Sequence, residues 1–239
     1  GKEEIAMKVS DIKKVACVGG GVIGSSWAIQ YAMRGLSVAL YDINDEQLLK
    51  SRGQMEKSLD ALVGHDAITQ TQKAEIVARV HPTTSMEEAV SDAQFIQESG
   101  PERLEIKQSI LAQVEACAAA DALYASSTSG LLISDIAAKA AHPERCVGAH
   151  PYNPPHIVPC VELVKNDFTD PEALEAVSAL LEHCGREVCW MNKPAPGFIA
   201  NRLQHALYRE AVYMVEQGIC GPEDIDKCIR SSWGPRYTS

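Results

Sequence analysis

The run Gly19-Gly20-Gly21-Val22-Ile23-Gly24 follows directly on the apolar stretch Val15–Val18 and opens the helical pattern Val22–Arg34. A G-x-G-x-x-G between a strand and a helix constrains a chain strongly, because each glycine has its own task. Gly19 permits the tight turn, Gly21 lets the backbone approach a pyrophosphate at the helix N-terminus, and Gly24 lets that helix pack close on its strand. Taken without its flanks the motif is equally a plain structural turn; the strand before it and the helix after it carry the reading. A second strand-like run, Ser37–Tyr41, leads into Asp42, where such a site places a carboxylate for ribose hydroxyls. Asp42 is also a candidate helix cap, although Asn44 or Asp45 can take that place. No arginine directly follows Asp42, and a carboxylate there repels a 2′-phosphate, so the site reads as one for NAD rather than NADP. Its cofactor-binding candidates are Gly19, Gly21, Val22, Ile23, Gly24 and Asp42.

Beyond this unit, short apolar runs and helical patterns continue to alternate. Phe95–Glu98, Leu123–Ser126, Cys146–Ala149, Cys160–Val164 and Val188–Trp190 read as strands. Asp45–Val63, Thr69–Ala78, Glu102 to about Ala120, Leu132–Ala140 and Asp170–Cys184 read as helices. Such alternation predicts an α/β, Rossmann-type doubly wound fold with a mostly parallel sheet covered on both faces. Lys193-Pro-Ala-Pro-Gly197 is a breaker-rich hinge, and only helical patterns follow it: Phe198–Gln217, ended by Gly218, and a helix opened by Pro222. The expected domains are residues 1–192, binding NAD, and residues 193–239, the beginning of an all-helical C-terminal domain that is too short to fold by itself.

Composition narrows the functional classes. The 239 residues carry 22 Lys+Arg against 32 Asp+Glu, a formal net charge of −10. That balance argues against a nucleic-acid binder and against a protein docked on anionic lipid. No apolar run reaches the roughly 18 residues of a membrane span. Gly1–Ser10 lacks the apolar centre of a secretory signal, and Gly1–Ala6 before Met7 reads as an appended tag. Eight scattered cysteines without a C-x-x-C read as reduced thiols of a cytoplasmic protein, with no metal site expected.

The chemistry candidate is His150, which follows the strand Cys146–Ala149 and therefore sits at a strand's carboxyl end, where ligands of open α/β sheets gather. A histidine there can take the proton of an alcohol while hydride leaves for nicotinamide. Glu162 lies in Cys160-Val-Glu-Leu-Val164, a run that otherwise reads as core, and a carboxylate in such a run needs a partner. Glu162 either orients the His150 ring and stabilises its imidazolium, or the two are a surface glutamate and a loop histidine that never meet.

The ordered set Gly19–Gly24, Asp42, Glu98-Ser-Gly-Pro-Glu102 with Lys107, Ser126-Ser-Thr-Ser129, His150-Pro-Tyr-Asn-Pro154, Glu162-Leu-Val164 and Pro196-Gly-Phe-Ile-Ala-Asn-Arg202 closely resembles the NAD-dependent 3-hydroxyacyl-CoA dehydrogenase family. The resemblance implies oxidation of an L-3-hydroxy group to a 3-oxo group. It implies that His150 is the catalytic base with Glu162 as its partner, and that Ser129 and Asn201 contact the reacting oxygen. It further implies that Glu102, Lys107, Ser129 and Asn153 line the cofactor site. Ser129 as a helix cap and Lys107 as a solvated helix residue remain the alternatives. Family members act on 3-hydroxyacyl-CoA thioesters or, in the branch resembling lambda-crystallin/L-gulonate and L-carnitine dehydrogenases, on free 3-hydroxy acids. Three segments lean toward that branch: His150-Pro-Tyr-Asn-Pro-Pro155, Gln97–Leu104 and Trp233-Gly-Pro-Arg-Tyr237. So does the helix after the second strand, where Ser58 is followed by Asp60, Val63 and His65 in place of basic residues; Lys57 is nearby and the next lysine is Lys73, a thin positive field for CoA phosphates. Arg236 is a candidate partner for a substrate carboxylate.

Family members are expected to continue for several helices beyond Ser239. Ending there leaves an apolar stripe of Phe198, Leu203, Leu207, Ala211 and Val215, to be covered in a homodimer by exchange of this helical segment. The competing expectations are a noncatalytic, crystallin-like NAD-binding relative and a dehydrogenase of another family that uses a lysine base such as Lys193.

Overall fold

A computed structural model describes residues 7–236; residues 1–6, residues 237–239 and the side chain of Arg236 lie outside what it describes. Two compact units divide at Pro196 and Gly197. The first holds an eight-stranded sheet in the order β3-β2-β1-β4-β5-β6-β7-β8. Its strands are β1 (Lys14–Val18), β2 (Ser37–Tyr41), β3 (Val80–Thr83), β4 (Phe95–Glu98), β5 (Leu123–Ser126), β6 (Cys146–Pro151), β7 (Cys160–Lys165) and β8 (Glu187–Met191). Its helices are α1 (Val22–Met33), α2 (Asp45–Gly64), α3 (Gln70–Ala78), α4 (Met86–Val90), α5 (Leu104–Cys117), α6 (Ile133–Ile136) and α7 (Pro171–His183).

The strand order starts outward from β1 in both directions, which puts a crevice at the carboxyl ends of β1 and β4. Central strands are buried on both faces, as in β1 and β4, so they read as continuous apolar runs rather than alternating ones. Helix α1 is buried almost all round; Trp27 and Tyr31 stack at 5.3 Å, and Phe95 meets Tyr31 edge-on. Under the crevice Tyr31 donates to Gln97 (2.9 Å), Gln97 donates to Ser127 (2.9 Å), and Trp27 Nε1 donates to the same Ser127 hydroxyl (3.2 Å). This polar seam ties α1 to β4 and to the end of β5.

Several elements differ from the sequence reading. Strand β3 and the short helix α4 were not expected. β3 contains Pro82 and is half exposed, so it lacks a strand's usual apolar signal. The helix expected over Leu132–Ala140 is one α-turn, Ile133–Ile136, followed by a 3-10 turn to Lys139. Helix α5 starts at Leu104 rather than Glu102, whose carboxylate is taken by a neighbouring loop, and it stops at Cys117. β6 runs on to Pro151 and pairs antiparallel with β7, because no crossover helix separates them.

The second unit comprises α8 (Ala200–Glu216), α9 (Pro222–Ser231) and α10 (Trp233–Arg236). α8 starts two residues later than expected, since Phe198 has a φ of 50°, outside the helical region. Of the expected apolar stripe, Leu203, Leu207 and Val215 are exposed and Ala211 is half-buried, but Phe198 lies before α8 and is buried. Among the described residues no helix is long and apolar enough to cross a membrane, and no cluster of three or more potential ligands for a metal ion occurs.

Candidate active site

The glycine-rich turn is fixed by close approaches. Gly19 has a φ of 106°, and a Cβ on it would lie 2.7 Å from the Ser99 carbonyl oxygen. A Cβ on Gly24 would lie 1.7 Å from the Gly19 carbonyl oxygen, so only glycine lets α1 begin there. Gly21 faces open space instead; nothing lies within 4 Å of the position its Cβ would take. It lines a cleft of about 690 Å³ together with Gly19, Asp42, Ile43, Ser99 and Pro101. That volume suits a dinucleotide's polar half. Asp42 sits at the end of β2, with one carboxylate oxygen accepting from Gly20 N (2.6 Å) and the other from Ile43 N (2.7 Å). The cap of α2 is Asn44, which accepts from Gln47 N. Ser51 donates to the Gly20 carbonyl, so α2 also holds the turn in place. Val22 is exposed and Ile23 half-buried at the start of α1.

A second layer supports the crevice between β4 and β5. The Lys107 ammonium donates to both oxygens of Glu98 (2.8 and 3.0 Å) and to the Gly100 carbonyl (3.3 Å), with the two side chains 1% and 0% exposed. Ser126 and Gly100 N donate to the same carboxylate, each at 2.6 Å. Lys107 is therefore a buried ion-pair partner and not a solvated helix residue. Glu102 accepts from Ser129 N, Gly130 N and Leu131 N (3.0, 2.9 and 3.3 Å) and from the Thr128 hydroxyl (2.6 Å). Burial alone would raise its pKa. The hydrogen bonds from Thr128, Gly130 and Leu131, with the Lys107 charge, outweigh that and hold it below the usual carboxylate value. Ser129 is exposed and is not a helix cap: α6 is preceded by Leu132, which makes no side-chain cap bond.

His150 and Glu162 face each other directly in the β6–β7 register. Their Nδ1 and Oε2 atoms are 2.7 Å apart, with exposures of 9% and 1%. The surface-glutamate alternative is thereby excluded. The antiparallel pairing is what brings the two together: partners directly opposite share one face of the sheet. Tyr152 joins them. Its hydroxyl donates to Glu162 Oε2 (3.0 Å), and its ring meets the imidazole edge-on at 5.0 Å. Burial, this hydrogen bond and the Glu162 charge all push the phenol's pKa up, so it remains a donor. Sequence reasoning gave Tyr152 no role, although it lies two residues past His150 and so on the same face. Asn153 is exposed in the loop that follows. Asn201 belongs to the other unit, in the first turn of α8.

A sheet that reverses strand order at a glycine-rich turn, with a paired histidine and glutamate at a strand's carboxyl end, defines a dinucleotide-dependent oxidoreductase. Residues 14–193 match the NAD binding domain of 3-hydroxyacyl-CoA dehydrogenase, and residues 197–238 match its C-terminal domain. The chain belongs to the 3-hydroxyacyl-CoA dehydrogenase family and is an NAD-dependent dehydrogenase. L-carnitine dehydrogenase of Streptomyces griseus subsp. griseus is 40% identical over 229 residues, 95% of this chain and 67% of that protein. The crystal structure of 3-hydroxybutyryl-CoA dehydrogenase from Escherichia coli K12 is similar with a TM-score of 0.89 and 30% identity, covering 93% of this chain and 47% of that one. That of an NAD+-dependent dismutase, 5-formyl-3-hydroxy-2-methylpyridine 4-carboxylic acid 5-dehydrogenase, has a TM-score of 0.84 and 32% identity, covering 95% of this chain and 72% of that one.

Proposed function

We propose that the chain oxidises the 3-hydroxy group of a free 3-hydroxy acid of the L-carnitine kind, with His150 as base and Glu162 as its orienting partner. The observation that carries this reading is the 2.7 Å contact between His150 Nδ1 and Glu162, with both side chains buried. With Nδ1–H donated to the carboxylate, the neutral ring accepts a proton at Nε2, and Glu162 stabilises the imidazolium that results. Tyr152 donates to the same Glu162 oxygen and helps to fix the carboxylate. Bound at the Gly19–Gly24 turn, NAD supplies the hydride acceptor; Gly21, Val22, Ile23 and Asp42 hold its polar half. Glu102 shapes the Thr128–Leu131 loop, which presents Ser129. Ser129 contacts the reacting oxygen, and Asn153 borders the cofactor. Lys107 acts by supporting the Glu98–Gly100 backbone beneath it.

The substrate choice is supported by the identity to L-carnitine dehydrogenase and by the charge on α2. Lys50 pairs with Glu46 (2.7 Å), Arg52 pairs with Glu56 (3.1 Å), and Lys73 reaches across to Asp60. Cations already neutralised by carboxylates make a weak field for the phosphates of CoA. We further infer a cytoplasmic homodimer; a monomer in sedimentation equilibrium would exclude it.

The test is NADH formation with L-carnitine and other free 3-hydroxy acids beside 3-hydroxybutyryl-CoA. Turnover of a free acid with at least tenfold higher kcat/KM than the thioester is expected. Selective turnover of the thioester would overturn the substrate assignment.

A further inference from the structure

Beside the histidine–glutamate pair lies a second chemical group that the dehydrogenase reaction does not use. Cys160 on β7 and Cys189 on β8 have their sulfurs 3.9 Å apart. The parallel register sets Cys160 beside Glu187 and Glu162 beside Cys189, so both thiols lie on the same sheet face as Glu162, Cys189 directly across from it and Cys160 two residues before it on β7. β8 is the last strand of the sheet, and Cys189 is exposed while Cys160 is half-buried.

We propose that Cys160 and Cys189 are an oxidation site at which a peroxide closes a reversible disulfide, and that the closed form slows the dehydrogenase by displacing Glu162. The step balances as follows. Cys189, the exposed thiol, attacks one oxygen of hydrogen peroxide as its thiolate; the O–O bond breaks, and the departing hydroxide takes a proton to become water. The Cys189 sulfenic acid is then attacked by the Cys160 sulfur, and its hydroxyl leaves with the Cys160 proton as a second water. Two thiols lose two electrons and two protons, and one peroxide becomes two waters. Burial, Cys189 and the nearby Glu162 and Glu187 push the Cys160 thiol up to about 12, so it reacts through proximity and not as a free thiolate. Closing the pair from 3.9 Å to the bonding distance of about 2.05 Å draws β7 and β8 together at the residue pair that includes Glu162.

The disulfide itself stands independently of the proposed reaction; its effect on rate rests on the reading of Glu162 as the partner of His150. The full chain is treated with a few equivalents of hydrogen peroxide, free thiols are alkylated, and the digest is mapped for linked peptides. Activity and NADH fluorescence are followed alongside, with Cys160→Ser and Cys189→Ser as controls. The expected result is a Cys160–Cys189 linked peptide and a loss of kcat of at least tenfold that dithiothreitol reverses. Both serine variants keep their activity through the treatment, and NADH affinity is unchanged. No linked peptide, or linkage through other cysteines, overturns the site. A linked peptide with full activity overturns the coupling; if Glu162→Gln is nevertheless inactive in the same assay, the reading of the His150 pair survives that failure.

Discussion

Replacing Lys107 with methionine tests whether the cofactor crevice rests on a buried ion pair. In the folded chain the ammonium sits against both Glu98 oxygens, with neither side chain meaningfully exposed. Removing it leaves a buried carboxylate with two remaining donors, Ser126 and Gly100 N. An uncompensated buried charge of this kind costs about 3–5 kcal/mol. At about 2–4 °C per kcal/mol for a chain of this size, Tm should fall by about 6–20 °C. The double variant Glu98→Gln/Lys107→Met removes the lone charge while the amide oxygen still accepts from Gly100 N, so it should recover about 1–3 kcal/mol of the single-variant loss. Urea unfolding followed by far-UV circular dichroism measures both quantities. A Lys107→Met cost below about 1 kcal/mol, or strict additivity in the double variant, would refute the argument that this pair is a structural support.

Gly24→Ala forces a methyl into the Gly19 carbonyl, so NADH affinity measured by fluorescence should fall at least tenfold; wild-type affinity would mean the turn is looser than described. Tyr152→Phe removes one hydrogen bond to Glu162 worth about 1.5 kcal/mol, and kcat should drop roughly tenfold with KM little changed. Glu102 has a lowered folded pKa, so its contribution is present above the unfolded value near 4.5 and is lost as pH falls through the folded value. Glu102→Gln should therefore cost stability at pH 7, by less than about 1 kcal/mol given its partial exposure, and less than that at pH 3. Thermal melts at the two pH values check this, and an equal cost at both would contradict it.

Much of this was legible in the chain because each signal was local. The Gly19–Gly24 turn declares itself through its flanking strand and helix, and Asp42 through its place at the end of β2. His150 and Glu162 were each suspicious alone, one by position and one as a carboxylate in an apolar run. Their meeting depends on the antiparallel register of β6 and β7, which spacing does not reveal. Tyr152 was passed over for the same reason, since β6 was read as ending three residues before it. The family resemblance put Lys107 at the cofactor site, but its spacing alone did not separate it from a solvated helix lysine, because its ion-pair partner Glu98, nine residues earlier, looked like the end of a core strand. β3 stayed hidden because Pro82 and exposed His81 break the strand pattern, and the strand is held by pairing with β2 instead of by its own apolar face.

The central claim is that His150 moves the substrate proton while other residues hold NAD. The most direct measurement is kcat for His150→Gln beside its NADH dissociation constant. The account predicts a fall in kcat of about 10²–10⁴-fold with NADH affinity within about twofold of wild type. A kcat near wild type, or a loss explained entirely by weaker NADH binding, would contradict it.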